Sequence, residues 1–264
     1  MALLAPVLLC FVLAASSSQN PAQPDPDQPK EQKADAPDDK PPTPAHTGVR
    51  ALLGALKDDI THLPSRQNLG TAGIGGGLAL GAHAFDQAVN DRALNPSDFA
   101  KVFFAPGKYL GGTPVQMAFS IGTWALGRAM DKPKVSHLGM DLLRAQALTE
   151  IMVEPIKFAT HRERPDGSNH QSFPSGHAAI TFAAATVIER HLGWKNSIAA
   201  YAVASYVATS RLLDNRHYLS DVVFGAAVGS IAGRTVTRHG RDTWTLTPTV
   251  VPGGGAISVT RTGF

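Results

Sequence analysis

The chain has 264 residues, 43% hydrophobic and 17% charged, with a mean hydropathy of −0.06. It is too apolar to be disordered throughout and too polar to be made mostly of membrane-spanning helices. A single cysteine, Cys10, excludes a disulfide scaffold, a cysteine-based zinc site and a cysteine nucleophile, and the net charge of +3 hides an uneven distribution.

Residues 1–18 carry no charged side chain, and an apolar run from Leu3 to Ala15 precedes Ser16, Ser17 and Ser18. This is the pattern of a secretory signal peptide with a small-residue cleavage region. The run falls short of the roughly 20 apolar residues that a membrane span needs. Lipid attachment at Cys10 is the rival reading, but Leu9 is large where a small residue is normally needed. The expectation is an exported protein, periplasmic or associated with the periplasmic face of a bacterial membrane, with no cysteine left after cleavage.

Residues 19–49 hold eight of the 19 prolines, six acids (Asp25, Asp27, Glu31, Asp35, Asp38 and Asp39) and three lysines. With little to bury, they read as a Pro-rich, disordered tether of net charge −3. That leaves 21 basic against 15 acidic side chains in 50–264, so the folded part carries +6.

From residue 50 to about 235, Ala, Leu, Val and Ile recur at three- and four-residue spacing. The spacing predicts helices over 69–90, 115–130, 136–160, 176–192, 196–213 and 219–234. The expected fold is therefore all-α, a bundle of about six core helices. The tail, 236–264, changes period: Trp244, Leu246 and Val250 alternate with threonines, and Gly253–Gly255 leads into Ile257 and Val259. That predicts a short β-hairpin appended to the helical domain. Two stretches without charged residues, Gln67–Phe85 and Tyr109–Gly127, are long enough to span a bilayer but rich in glycine, and read more readily as packed core. Gly73, Gly77 and Gly81 form a ridge suited to close helix packing.

Three blocks bring positive charge and histidine together where apolar helices end. They are Lys157–Pro165 (KFATHRERP), Phe173–His177 (FPSGH) and Ser210–Asp221 (SRLLDNRHYLSD). Lys157, Arg164 and Arg211 would repel one another if they converged without an anion. Arginine's planar fork suits a tetrahedral oxyanion, and lysine adds a point charge. Alone, each cation could simply complement a helix C-terminus. Ser175 is a good N-cap and Gly176 permits close backbone approach, so the helix beginning there offers free N–H groups and a dipole to an anion. His177, in its first turn, could protonate a leaving oxygen. His217 and Asp221, four residues apart, can share a face, with Asp221 accepting from one ring nitrogen and leaving the other free to attack.

Taken together, the blocks read Lys-x6-Arg-Pro, Pro-Ser-Gly-His and Ser-Arg-x5-His-x3-Asp, with eleven fixed positions at matching internal spacing. Over residues 50–235 the chain resembles the type 2 phosphatidic acid phosphatase family, in the superfamily that also holds bacterial acid phosphatases and vanadium haloperoxidases. The resemblance implies a helical bundle and hydrolysis of a phosphomonoester or diphosphate through a phosphohistidine. It makes His217 the nucleophile, His177 the general acid and Asp221 the residue orienting His217. Lys157, Arg164 and Arg211, with backbone around Ser175 and Gly176, would hold the phosphate. No cofactor or metal is implied, and vanadate is expected to inhibit as a phosphate mimic.

Two alternatives use the same pocket: a vanadate-dependent haloperoxidase, for which the chain is short, and a non-catalytic phosphate or lipid-headgroup binder. A metal hydrolase built on His161, Glu163, His170 and His177 is disfavoured by the spacing and by the basic loop around them. Nucleic-acid binding lacks interleaved aromatics and a recognised module. The expected partner is a phosphorylated substrate, lipid or small ester, with contact to a membrane surface in the lipid case.

Overall fold

The computed structural model describes residues 40–238 and, as backbone alone, 243–251 and 254–262. The expected signal peptide and most of the tether, up to residue 39, lie outside the described residues. The helical domain is all-α and runs α1 (Val49–His62), α2 (Arg66–His83), α3 (Asp86–Ala93), α4 (Asp98–Phe104), α5 (Gly107–Leu110), α6 (Thr113–Ala129), α7 (Pro133–Thr160), α8 (Gly176–Leu192), α9 (Trp194–Leu213) and α10 (Leu219–Val236).

Local signals set the boundaries. Pro133 opens α7, where a missing N–H costs nothing, and His161 ends it in the left-handed region at φ 45°. The Ser175 hydroxyl caps α8 by accepting from the Ala178 N–H at 3.4 Å. At the start of α10, the Asp221 carboxylate reaches back to the Tyr218 N–H at 2.8 Å. One expected helix divides: 69–90 breaks at Ala84–Phe85 into α2 and α3. The break turns Asp86 inward, where its carboxylate accepts from the Ser220 N–H at 2.8 Å and the Ser220 hydroxyl at 2.7 Å. The short helices α4 and α5 fall where no helix is expected, and Ser97 caps the first of them.

The core is the contact between α7, α8 and α10: Leu142, Ala145 and Leu148 meet Ala183, Val187, Ala232 and Val236, all without exposure. Apolar burial on this scale is the main favourable contribution to the fold. Its tightest seam is glycine-lined. Gly225, Gly229 and Gly233 recur every fourth residue along one face of α10. A Cβ at Gly225 would lie 2.5 Å from the Ser175 carbonyl oxygen, and one at Gly229 would lie 2.0 Å from that of Ala179. At Gly233 it would meet the Thr186 Cβ at 2.7 Å. The two helices therefore touch backbone to backbone.

The ridge expected to serve close packing, Gly73, Gly77 and Gly81, does not: a Cβ at any of the three would meet nothing within 4 Å. α2 approaches α10 by a different face, where a Cβ on Gly75 would lie 2.3 Å from the Ala227 Cβ. Among the described residues, one helix, Leu219–Val236, is long and apolar enough to cross a membrane, and 67% of it is buried. It is the central core helix.

The two glycine ridges should respond oppositely to substitution. Gly229→Val forces backbone apart and should destabilise by about 1–3 kcal/mol or more. Gly77→Ala adds a methyl in open space and removes a flexible residue from a helix, for a gain of about 0.5–1 kcal/mol. Denaturant unfolding of both variants measures the contrast.

Candidate active site

Four helix ends meet at one end of the bundle: the C-termini of α7 and α9 and the N-termini of α8 and α10. Each carries part of the three sequence blocks. Lys157 lies in the last turn of α7, paired with Glu154 at 2.6 Å. Its ammonium lies against the start of α8, since a Cβ built on Gly176 would be 3.4 Å from Lys157 Nζ. Arg164 follows in the loop, and Arg211 ends α9, held by Asp214 at 2.7 Å. Burial, together with neighbouring guanidinium groups, holds both arginine pKa values below their ordinary value: Arg216 lies beside Arg164, and Arg216 and Arg164 lie near Arg211. Both remain charged at neutral pH. The expected convergence of cations is present, joined by Arg216, which pairs with Asp166 at 2.8 Å. Of these cations, Arg211 and Arg216 border a cleft of about 440 Å³, which Lys108, Tyr109, His177 and Asp214 also line.

His177 donates through Nε2 to the Lys108 carbonyl at 3.1 Å, because a carbonyl can only accept. Gly111 makes room for the ring: a Cβ there would lie 3.0 Å from the His177 Cδ2 and 2.3 Å from the Val207 Cγ1. Burial is the largest cause of a fall in the His177 pKa to about 4, and the charges of Arg211 and Lys157 add to it. Without an anion, the ring is neutral at pH 7.

His217 stands in the turn before α10 and is 3% exposed. The expected hydrogen bond to Asp221 is not made: His217 Nδ1 lies 3.7 Å from Asp221 Oδ2, beyond hydrogen-bond reach. The ring instead donates from Nδ1 to the Ser172 carbonyl at 2.7 Å. The reason is occupancy, since Asp221 Oδ2 already accepts from the Ser172 hydroxyl at 2.5 Å and from the Tyr218 N–H. Asp221 is therefore connected to His217 at one remove, through Ser172. The outcome for the tautomer is the same, with the proton on Nδ1 and a lone pair on Nε2. Burial lowers the His217 pKa, against the pull of Asp221, and keeps the ring neutral.

Sequence reasoning missed two residues behind this arrangement. Arg162 donates to Asp221 Oδ1 at 2.6 Å and to the Ser220 hydroxyl at 2.7 Å with one nitrogen, and to Asp86 Oδ2 at 2.8 Å with the other. Its guanidinium also lies over the Tyr218 ring, 4.3 Å from the centroid. A carboxylate–guanidinium–carboxylate chain thus backs His217. Burial works to raise the Asp86 pKa, but the bonds from Arg162, Ser220 and His83 outweigh it and hold the group ionised. A signal was present, because Asp86 is the sole Asp, Glu, Lys or Arg between residues 67 and 90. The four residues of the metal-hydrolase alternative do not assemble. His161 and His170 stack at 4.6 Å, and no metal-spaced group among the described residues includes His161, Glu163, His170 or His177. Arg162→Ala should leave KM nearly unchanged and lower kcat on the order of 10²-fold through misplacement of His217. Steady-state kinetics of the variant, compared with Arg162→Lys, check this.

Comparison with known proteins agrees with the placement of these blocks. The PAP2 superfamily model matches residues 138–244. A lipid A 1-phosphatase of Porphyromonas gingivalis is 46% identical over 90 residues, covering 33% of this chain and 20% of that protein. A decaprenylphosphoryl-5-phosphoribose phosphatase of Mycobacterium tuberculosis is 35% identical over 94 residues, covering 32% and 51%. The chain thus spans about half or less of these relatives. Among solved structures, Aquifex aeolicus LpxE aligns with 59% of this chain and 94% of its own at 23% identity, with a TM-score of 0.49. Every motif residue, from Lys157 to Asp221, falls inside the segment that the PAP2 superfamily model matches.

Proposed function

We propose that the chain is a metal-independent phosphatase acting on a phosphomonoester or diphosphate borne by an amphiphilic, lipid-like molecule. One observation carries this reading: His177, in the first turn of α8, lines a cleft with Arg211 and Arg216, and a second, buried imidazole, His217, stands behind it with Arg164 close by. Lys157, Arg164, Arg211 and the first N–H groups of α8 bind the phosphate and the charge that develops on it. His217 Nε2 attacks phosphorus as the ester or anhydride P–O bond breaks, leaving a phosphohistidine. The departing oxygen takes a proton from His177. The neutral His177 then removes a proton from water, which attacks the phosphohistidine and releases inorganic phosphate.

His177 must be protonated for the first step, and its pKa of about 4 belongs to the pocket without an anion. A bound dianion reverses the surrounding potential and raises that pKa, so the proton is retained to higher pH once substrate is bound.

The substrate class follows from the rim. Phe99 and Val102 are each 76% exposed, and Phe103 and Tyr109 are exposed as well. Phe103 stacks on Phe99 at 5.5 Å and meets Tyr206 of α9 edge-on at 5.5 Å, and Tyr109 lines the cleft itself. An apolar shelf beside a phosphate pocket suits an acyl or prenyl chain more than a small hydrophilic ester. The named relatives act on lipid A and on a decaprenyl phosphoribose, which supports the same reading. Leu69, Ile74, Leu78 and Leu80 on α2 and Phe119 and Leu126 on α6 are also exposed, so the protein is expected to work in association with a bilayer on the periplasmic side. The tail is read as a β-hairpin, supported by its period-two alternation and by an antiparallel register running from Thr243 opposite Thr262 to Val251 opposite Gly254.

Phosphate release from phosphatidic acid, an isoprenyl diphosphate and a small aryl phosphate tests the activity. His217→Ala should abolish turnover while retaining phosphate binding, and undiminished hydrolysis would overturn the nucleophile assignment. His177→Asn should lower kcat by about 10²–10⁴-fold. Titration of the His177 ring by NMR should show its pKa rising from about 4 when phosphate or vanadate is added, and an unmoved value would remove its role as acid. In fractionated cells the protein should require detergent for extraction; recovery in the osmotic-shock supernatant would point to a small-ester substrate.

A further inference from the structure

At the opposite end of the bundle a second cluster of titratable groups is buried, and the mechanism does not use it. His137 and Asp141 lie four residues apart on α7, and His191 lies in the last turn of α8. All three side chains are nearly closed off, at 3%, 0% and 8% exposure. Both imidazoles aim Nε2 at the same carboxylate oxygen, His137 at 3.3 Å and His191 at 2.9 Å from Asp141 Oδ2. The rings stand edge to face with centroids 4.8 Å apart, and the three ligand atoms lie within 4.8 Å of one another. The rise of a helix puts this cluster about 20 Å from the phosphate pocket, counting from His177 to His191 along α8.

We propose that His137, Asp141 and His191 form a structural binding site for a divalent cation of the zinc class. Two imidazole nitrogens and one carboxylate oxygen are ligands that zinc takes readily, and a water would complete a tetrahedron. Ligand atoms around such an ion stand about 3.3 Å apart at bond lengths near 2.0 Å, so side-chain rotation alone closes the observed spacing. The surroundings orient the carboxylate for this role. Arg144 Nη2 holds Asp141 Oδ1 at 3.2 Å, which leaves Oδ2 to face both rings. Arg144 Nε in turn lies 3.1 Å from Asp59 Oδ2 on α1, and Nη2 donates to the Val236 carbonyl that ends α10. Outer partners of this kind fix ligating groups in metal sites. A cation between the rings would staple α7 to α8, with α1 and α10 attached through Arg144. A direct hydrogen bond from each imidazole to Asp141 is the competing arrangement, and only the metal predicts a stoichiometric ion.

The test uses the full chain, purified without an affinity tag or chelator. Elemental analysis should find about one zinc per chain, and dialysis against a chelator should remove it and lower the melting temperature. Cobalt(II) added to the stripped protein should give the visible bands of a tetrahedral site. Those bands should vanish in His191→Ala and in His137→Ala, with helicity followed by circular dichroism. Zinc far below one per chain together with no cobalt bands overturns the proposal, without needing any variant to fold. Bands that survive in folded single variants overturn it too, since they place the metal elsewhere, as does a melting temperature indifferent to zinc.

Discussion

The backbone-to-backbone contact of α8 with α10 is the constraint on which the rest of the structure depends. Both helices bring the start of their chemistry to the same end, Ser175–His177 on one and His217–Asp221 on the other. Because Gly225 lies against the Ser175 carbonyl, the first turn of α8 is fixed relative to the turn that carries His217. The Ser175 N–H donates to the Asp221 carbonyl at 3.0 Å, locking the same junction by a hydrogen bond. A larger residue on the seam would part the His217 imidazole from the start of α8, and the proposed chemistry needs the two close together.

Charge is sorted around His217 with the same economy. Cations line the cleft together with Asp214, whereas Asp221 and Asp86 lie behind the ring and are already saturated. Asp221 accepts from Ser172, Tyr218 and Arg162, and Asp86 accepts from Arg162 and Ser220. Buried carboxylates left with free lone pairs would compete with substrate for Lys157, Arg164 and Arg211. Paired as they are, they lend direction to His217 without neutralising the pocket. Removing one member of such a buried set strands the others at a cost of several kcal/mol.

Much of this was legible in the sequence. The helical periods locate five of the six expected core helices to within a few residues, and the three blocks name the residues that converge. Spacing could not show that Asp221 acts through Ser172, because a four-residue separation gives a shared face and says nothing of which acceptor is nearest. It also could not tell the glycine ridge that is used from the one that is open. Gly73, Gly77 and Gly81 repeat every fourth residue as regularly as Gly225, Gly229 and Gly233, and only the orientation of α2 against α10 separates them. Asp86 was overlooked because its partner, Arg162, lies 76 residues away, and pairing over that distance leaves no local pattern.

The tie between Asp86 and Arg162 bears on modularity. The matched segment that carries every motif begins at residue 138, yet one of the two carboxylates behind His217 comes from a helix some fifty residues earlier. The motif-bearing stretch is therefore not a portable cassette. Grafted alone onto another scaffold, it would bring an arginine whose outer partner had stayed behind, and the host would have to furnish an acid at that point. The unit on which inheritance or engineering can act begins no later than α3.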